Sequence, residues 1–264
     1  MEYFEIVKIR DRVWRLWDAE KDSFYLVEGD RLAAVIDTGV TPGGRILPGL
    51  QQLTQKPLVL VLTHAHIDHF YHMDEFHTVY MSHREFELGE DILREMMAGK
   101  DLNLAAAVHI ETGSKIELGG CTLEICAVPG HTPGSVAVYD SRDGIVFTGE
   151  AIGSGCGVWM QLPGSSSLTD YQQSLLTFMR WLLDRGGEMD FWGGHCHQSW
   201  ESRQVPGFNP VSLGLLADLI DLVRAVRSGE ITGEFVELAP NLRQREARYA
   251  AWGRAEMLYN PDKL

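Results

Sequence analysis

The sequence has few cysteines and no long apolar run. These two features argue against a disulfide-stabilised protein and against a membrane-spanning one. It contains no Cys-x-x-Cys pair and no regular cysteine framework, since its four cysteines are Cys121, Cys126, Cys156 and Cys196. This pattern favours reduced thiols, as in the cytosol, over a disulfide scaffold. No apolar run approaches the ~20 residues needed to cross a bilayer, so we expect no membrane insertion.

Basic residues are also scarce. Lys and Arg number 23 against 37 Asp and Glu, which gives a net charge of −14. Because an acidic surface repels phosphate backbones, we expect no nucleic-acid partner. The opening residues, MEYFEIVKIRDR, are acidic and mixed and lack the apolar stretch of a signal peptide. We therefore expect a cytoplasmic protein that acts on a small molecule.

The chain has the length and composition of a globular protein. Its 264 residues, 45% of them hydrophobic, suffice to bury a core without disulfides. No linker or low-complexity stretch divides it, so we expect a single domain over residues 1–264 with a helical C-terminal extension from about residue 200. That extension could cover a pocket or form the face of a homodimer.

Strand patterns come in two groups, one before residue 64 and one after Gly113. Gly29-Asp30 predicts a hairpin turn in the first group. Helical patterns follow each group, over residues 43–54, 84–98, about 169–184 and 210–228, with Thr169 or Asp170 as the expected cap of the third helix. This order favours packed sheets with helices outside, an α/β architecture.

Histidine is concentrated in one short segment, THAHIDHF at residues 63–70. It follows PLVLVLT, an apolar run typical of a buried strand. Alternate residues at a strand end point the same way, so His64 and His66 can present two nitrogens to one ion. If a helix begins near Asp68, then Asp68 and His69 project beside that pair. Imidazole and carboxylate together suit Zn, Fe or Mn, and the lack of nearby cysteine argues against a structural zinc site.

Three further polar side chains follow predicted strands. His131 lies in PGHTPGS, Glu150 closes GIVFTGE, and His195 follows DFWGG. Each alone is more common as a loop, solvated or packing residue. Together they are typical of a sheet edge that collects functional loops.

The ordered motifs THAHIDH, GHTPGS, FTGE and GGH resemble those of the metallo-β-lactamase-fold hydrolases, a superfamily that includes glyoxalase II-like thioesterases, lactonases and phosphodiesterases. IDTG at residues 36–39 also matches the family's early strand-end aspartate, Asp37. The resemblance covers at least residues 10–200. It implies an αββα sandwich of two mixed β-sheets, with helices on the outer faces and the site on one edge.

The resemblance also implies a site for two divalent ions, zinc in the first instance, with iron or manganese as alternatives. The first ion would be held by His64, His66 and His131, the second by Asp68, His69 and His195, and Glu150 would bridge both. The family usually has Asp at the position of Glu150, and the longer side chain could weaken the second site.

The segment around His195 offers two further candidates. His195 is preferred over His197 because it follows Gly193-Gly194, as the family's ligand follows glycine. We expect His197 to lie behind the ligands or in solvent, and Cys196 to be a small packed residue.

The implied activity is metal-dependent hydrolysis. A metal-bound hydroxide would attack an ester-like bond of a small molecule: a thioester, lactone, ester or phosphodiester. Asp68 would bind metal and also orient the attacking water or accept its proton.

Four residues are predicted to contact the substrate. Phe70 and Tyr71 stand where relatives usually have small residues, so their bulk should narrow the pocket. Trp159 and Met160 lie in a Gly- and Ser-rich stretch, residues 151–171, that could form a flexible loop with an apolar lip over the site. A plain surface connection is an equal alternative for that stretch.

Two other functions stay open at this stage. One is a mononuclear iron dioxygenase of the same fold. The diiron relatives carry Glu at the position of Asp68, and this chain does not. The other is a metal-binding sensor without turnover, which the unusual Glu150 leaves open.

Overall fold

A computed structural model describes residues 4–97, 100, 102–154, 157–195, 210–237 and 247–264. In these residues the chain forms sixteen strands and five α-helices. The strands are β1 Glu5–Arg10, β2 Val13–Trp17, β3 Ser23–Glu28, β4 Ala33–Ile36, β5 Leu58–Val61, β6 Val79–Met81, β7 Val108–His109, β8 Lys115–Glu117, β9 Thr122–Ala127, β10 Val136–Asp140, β11 Ile145–Gly149, β12 Val158–Met160, β13 Asp190–Gly193, β14 Glu234–Val236, β15 Ala247–Trp252 and β16 Ala255–Tyr259. The helices are α1 Leu47–Leu53, α2 Ile67–Phe70, α3 Glu90–Met96, α4 Leu168–Leu183 and α5 Leu213–Ser228.

Two sheets pack face to face and enclose the innermost core. The first has seven strands in the order β1 to β7, and the second has five in the order β13-β11-β10-β9-β8. Both are mixed, since β4, β5 and β6 run parallel in one sheet, and β11 and β13 in the other. Tyr25 and Val61 of the first sheet share a buried cluster with Phe147 and Trp192 of the second. The rings of Tyr25 and Phe147 lie 4.7 Å apart, which joins the sheets directly.

Each sheet buries its other face under helices. Leu50 of α1 and Phe70 of α2 pack in one cluster with Leu60 of the first sheet. Phe178 of α4 and Leu222 of α5 belong to the cluster on the far side of the second sheet. The layers therefore run helix, sheet, sheet, helix, which is the αββα sandwich that the sequence predicts.

A third sheet was not predicted. It has four strands in the order β12-β16-β15-β14. β15 and β16 form an antiparallel pair, and β16 pairs in parallel with β12. The stretch 151–171, for which a flexible loop and a plain surface connection were equal alternatives, thus contains a strand held by the C-terminal segment. The described part of that segment contains α5 and three strands, so the expectation of a helical extension was incomplete.

Two helix predictions were wrong in detail. The helix expected over residues 84–98 is interrupted at Gly89, whose φ of 83° separates the 3-10 helix His83–Leu88 from α3. The cap of α4 is Ser167, whose Oγ accepts from the backbone N–H of Asp170 at 3.1 Å. Ser, Thr and Asp are all good caps, so the sequence alone could not choose among them. The longest described helices have 16 residues, and no described helix is long and apolar enough to span a membrane.

Candidate metal centre

Seven polar side chains meet at one edge of the facing sheets, on segments that follow strand ends. Their candidate ligand atoms form two groups, and within each group the atoms lie within 4.8 Å of one another. The first group is His64, His66, His131 and Glu150, and the second is Asp68, His69 and His195. The structure therefore brings together every residue predicted as a ligand. That they bind metal stays a prediction.

Local backbone geometry explains how THAHIDHF supplies both groups. His66 is the last extended residue, with φ −97° and ψ 148°, and α2 begins at Ile67. The strand end directs His64 and His66 to the first group. The turn into α2 directs Asp68 and His69 to the second, as expected from the spacing.

The first group is tightly convergent. His66 Nδ1 lies 3.1 Å from His64 Nε2 and 2.9 Å from His131 Nε2. Glu150 Oε2 lies 2.8 Å from His131 Nε2 and 4.0 Å from His64 Nε2. Three imidazole nitrogens and one carboxylate oxygen thus face a common point.

The second group shares Glu150 with the first. His195 Nε2 lies 3.1 Å from Asp68 Oδ2 and 3.3 Å from His69 Nε2. Glu150 Oε1 lies 2.9 Å from His195 Nε2, while its other oxygen faces the first group. One carboxylate therefore reaches both groups, as the family resemblance implies for the bridging position.

The remote nitrogens of four histidines are held by acceptors. The Nδ1 atoms of His69 and His195 lie 2.8 Å from Asp37 and Asp22 carboxylate oxygens. His131 Nδ1 lies 2.8 Å from the carbonyl oxygen of Trp159, and His64 Nδ1 lies 3.1 Å from Thr63 Oγ1. Carboxylates and carbonyls only accept, and the Thr63 hydroxyl donates its proton to Asp37, so each of these Nδ1 atoms carries a proton and Nε2 is the nitrogen that faces its ligand group. This is the outer arrangement of a metal site, so the residues present fit a divalent cation.

Asp37 fixes the two ends of THAHIDHF relative to each other, since it binds both Thr63 and His69. Its Oδ1 accepts from the backbone N–H of Thr63 at 2.8 Å, and its Oδ2 accepts from Thr63 Oγ1 at 2.7 Å as well as from His69. The backbone of Asp37 lies in the left-handed region, with φ 61°. Such a conformation is costly for a residue with a side chain and clusters at functional sites. Asp37 thus lies just beyond the end of β4, in agreement with the strand-end position that the family resemblance implies.

Glycine before His195 permits close approach to His69. A Cβ on Gly194 would lie 2.6 Å from His69 Cε1, too close for any other residue. The second glycine of the motif GGH therefore has a steric reason.

The pKa values of the residues in the centre are shifted by burial and by the neighbouring charged groups. Burial lowers the pKa of His66 to about 3, and His131 adds to that shift. Burial also lowers the pKa of His69, but Asp68 and Asp37 outweigh it and raise the value to about 10. Burial raises the pKa of Asp68, yet His69 and His195 outweigh it and bring it well below its usual range. Asp68 is therefore ionised at neutral pH.

Solvent reaches the centre from one side. The side chains of Asp68, Glu150 and His195 are 25%, 20% and 19% exposed, whereas those of His64 and His69 are 1% exposed. A substrate would approach along the side where Asp68 and Glu150 face solvent.

The four predicted substrate contacts lie in different environments. Phe70 and Met160 are buried in the core, Phe70 under the first sheet and Met160 under the second. Tyr71 is half-buried beneath the ammonium of Lys100, 3.9 Å from the ring centre, and Trp159 is 38% exposed. Only Tyr71 and Trp159 therefore offer appreciable surface, and substrate contact by any of the four stays a prediction.

Sequence reasoning missed Asp22 and Thr63 as partners of ligand histidines. Thr63 precedes the motif and could have been noted. Asp22 lies in an ordinary turn between β2 and β3 and gave no signal. Cys196 and His197 lie outside the described residues.

Comparisons with known proteins agree with this geometry. The chain is 28% identical over 206 residues to the probable metallo-hydrolase YqgX of Bacillus subtilis, covering 74% of this chain and 95% of that protein. It is 27% identical over 198 residues to the acyl-coenzyme A thioesterase MBLAC2 of Homo sapiens, covering 62% and 69%. It is 30% identical over 161 residues to the mitochondrial persulfide dioxygenase ETHE1 of Homo sapiens, covering 57% of this chain and 53% of that protein.

Solved structures show the same fold. A metallo-beta-lactamase from Pontibacter korlensis aligns with a TM-score of 0.62 at 18% identity, covering 84% of this chain and 99% of that one. A family model described as the metallo-beta-lactamase superfamily matches residues 19–187, well over half of the chain. The chain therefore belongs to the metallo-β-lactamase superfamily.

Proposed function

We propose that the protein is a metal-dependent hydrolase that cleaves an ester-like bond of a small molecule. The observation that carries this proposal is the pair of ligand groups joined by Glu150, whose oxygens lie 2.8 Å from His131 Nε2 and 2.9 Å from His195 Nε2. Two such groups suit two divalent ions, with zinc the first expectation because histidine and carboxylate predominate. Bound ions of this kind lower the pKa of water from 15.7 to about 7, which supplies a nucleophile at neutral pH.

The chain's own residues have distinct tasks in this reaction. Asp37, Asp22, Thr63 and the Trp159 carbonyl orient four imidazoles, so that their Nε2 atoms need no rearrangement. The Asp68 side chain is 25% exposed, so its carboxylate can orient a water molecule and accept its proton. These roles assign Asp68 as the catalytic residue that is most accessible to substrate.

Substrate class and compartment belong to the same proposal. The net charge of −14 disfavours a polyanion and favours a small molecule. Two relatives, a probable metallo-hydrolase and an acyl-coenzyme A thioesterase, support hydrolysis and make a thioester the first substrate to try. Cys121 and Cys126 carry free thiols, which supports a reducing compartment such as the cytoplasm.

Metal analysis combined with a substrate panel tests the proposal. Chain purified without chelator should contain between one and two transition-metal ions and should turn over at least one thioester, lactone, ester or phosphodiester. Fewer than about 0.2 ions per chain after reconstitution with Zn, Mn and Fe would contradict the ligand assignment, which rests on imidazole and carboxylate donors. Metal without turnover of any substrate would favour a sensor.

A second candidate is a mononuclear iron dioxygenase. The similarity to a persulfide dioxygenase favours it, although that alignment spans about half of the relative. Oxygen consumption by iron-loaded chain with a persulfide, and no hydrolysis by zinc-loaded chain, would establish this alternative.

A further inference from the structure

Glu85 is a buried carboxyl group that the proposed reaction does not use. It lies in the 3-10 helix His83–Leu88 and has no exposed surface. Its Oε1 accepts a 2.6 Å hydrogen bond from Thr132 Oγ1, and the backbone N–H of Ala65 donates to the same carboxyl group. Its Oε2 has no hydrogen-bond partner among the described residues. Burying such a group without full pairing is costly, which argues that its position has a use.

The two partners of Glu85 belong to two different ligand-bearing segments. Ala65 stands between His64 and His66 at the end of β5, in the first sheet. Thr132 directly follows His131, in the loop between β9 and β10 of the second sheet. Glu85 thus contacts both sides of the first ligand group, where atoms of His66 and His131 lie 2.9 Å apart.

The loop GHTPGS is shaped around the Glu85 side chain. A Cβ on Gly134 would lie 2.5 Å from Glu85 Cγ and 2.7 Å from its Cδ, so any larger residue would displace one of the two. The hydroxyl that reaches Glu85 is fixed in turn, because Thr132 Oγ1 lies 2.8 Å from Ser135 Oγ. The contact between Glu85 and the loop GHTPGS is therefore closely packed and has a defined geometry.

We propose that Glu85 is a positioning residue that sets the separation of His66 and His131 by joining the two segments that carry them. It contacts neither imidazole and acts through Ala65 and Thr132. The proposal rests on the proposed function in one respect, namely that the first ligand group binds a metal ion. Loss of outer partners of metal ligands typically lowers affinity by about 10–100-fold.

Two substitutions separate this role from a general structural one. Glu85→Ala removes the acceptor for both segments, whereas Glu85→Gln keeps an oxygen that can accept from Ala65 and Thr132. The matched control is Glu87→Gln on the same 3-10 helix, where the carboxylate is 54% exposed and pairs with Arg84. Co(II) affinity at each site would be measured by chelator competition in the full chain, together with the visible absorption spectrum of the loaded protein.

Glu85→Ala should weaken the first site by about 10–100-fold and alter its Co(II) spectrum, while the second site changes by less than about threefold. Glu85→Gln should stay within about threefold of wild type at both sites, and Glu87→Gln should match wild type. Equal losses at both sites, or no loss at the first site in Glu85→Ala, would overturn the proposal.

Two further measurements keep the test decisive if Glu85→Ala folds poorly. Thr132→Val keeps the side-chain shape and removes one link, so it should weaken the first site by about tenfold, the lower end of the loss expected for one outer contact. In metal-free protein, hydrogen exchange at the Ala65 amide should accelerate in Glu85→Ala and not in Glu85→Gln. Unchanged exchange in both variants would show that Glu85 does not hold the Ala65 backbone, which would overturn the proposal. Wild-type chain that binds no Co(II) would instead contradict the proposed function, and the exchange result would still report on Glu85.

Discussion

Glu150 and His195 are joined by a 2.9 Å contact between Oε1 and Nε2, while the other Glu150 oxygen lies 2.8 Å from His131. The extra methylene of glutamate therefore does not prevent a reach to both ligand groups. Glu150 directly follows β11, and from there its side chain spans the gap between the two groups. This geometry favours a backbone that is set back to accommodate glutamate. It argues against a centre in which Glu150 weakens binding of the second ion.

Glu150→Asp should weaken binding of the second ion and slow hydrolysis. An aspartate on the same backbone is one methylene shorter and cannot keep both contacts, so we expect a loss of at least about tenfold in second-site affinity, comparable to that seen when partners of metal ligands are removed. Metal stoichiometry under chelator competition and the rate on the best substrate would measure it. If the variant binds the second ion more tightly and works faster, the native centre is a single-metal site and the sensor or dioxygenase alternatives gain support.

His66→Ala should abolish activity and lower metal content while leaving the fold intact. The partly exposed imidazole lies at the start of α2, where it contacts His64 and His131. Its loss should therefore change chemistry more than stability. Metal analysis, activity and circular dichroism would measure the three effects, with the exposed His77 as a matched His→Ala control. Wild-type turnover in His66→Ala would exclude His66 as a ligand, and failure to fold would indicate a structural site.

The candidate ligands could be predicted from sequence because their signals are local. THAHIDHF is contiguous, and His131, Glu150 and His195 each follow a strand pattern and a glycine. The two-sheet architecture followed from the grouping of strand patterns, since the alternation of buried residues is also local.

Features that depend on distant pairing could not be predicted. β12 looked like a loop because VWM is short and flanked by Gly and Ser, and its strand character comes from pairing with β16. Asp22 reaches His195 because Ser23 N–H bonds the Gly194 carbonyl oxygen at 2.6 Å, a contact across the fold. The interpretation of Phe70 as pocket bulk did not anticipate its complete burial, because a motif does not say which face of a short helix meets the core.

Stability at mildly acidic pH should depend on Glu85. Burial raises the pKa of Glu85 from its ordinary value of 4.5 to about 7, against the lowering effect of the Thr132 hydrogen bond. Between these two values the folded chain holds a proton that the unfolded chain has released, so stability falls as pH rises through this window. Glu85→Gln cannot ionise and should lack this dependence.

The free energy of unfolding of Glu85→Gln relative to wild type should therefore rise from about pH 4.5 to 7 and then level off, by on the order of 3 kcal/mol at most. Urea unfolding of the metal-free chains at several pH values across the window would measure it, with Glu87→Gln as the exposed control. A difference that does not change with pH would show that Glu85 titrates normally.

Asp22→Ala should weaken the second ligand group selectively. Asp22 is buried and its Oδ1 lies 2.8 Å from His195 Nδ1, so it fixes both the ring orientation and the tautomer that leaves Nε2 free. We expect a loss of about 10–100-fold in second-site metal affinity, with the first site nearly unchanged. Asp22→Asn keeps an oxygen that can accept from Nδ1 and should fall between wild type and Asp22→Ala. Glu20→Ala, in the same turn and exposed, is the matched control and should bind both ions normally. Chelator competition with Co(II) would measure the metal affinity of each of the two sites in these variants and in wild type. An equal loss at both sites would mean that Asp22 supports the edge of the sheet in general, and no loss at either would mean that His195 needs no carboxylate behind it.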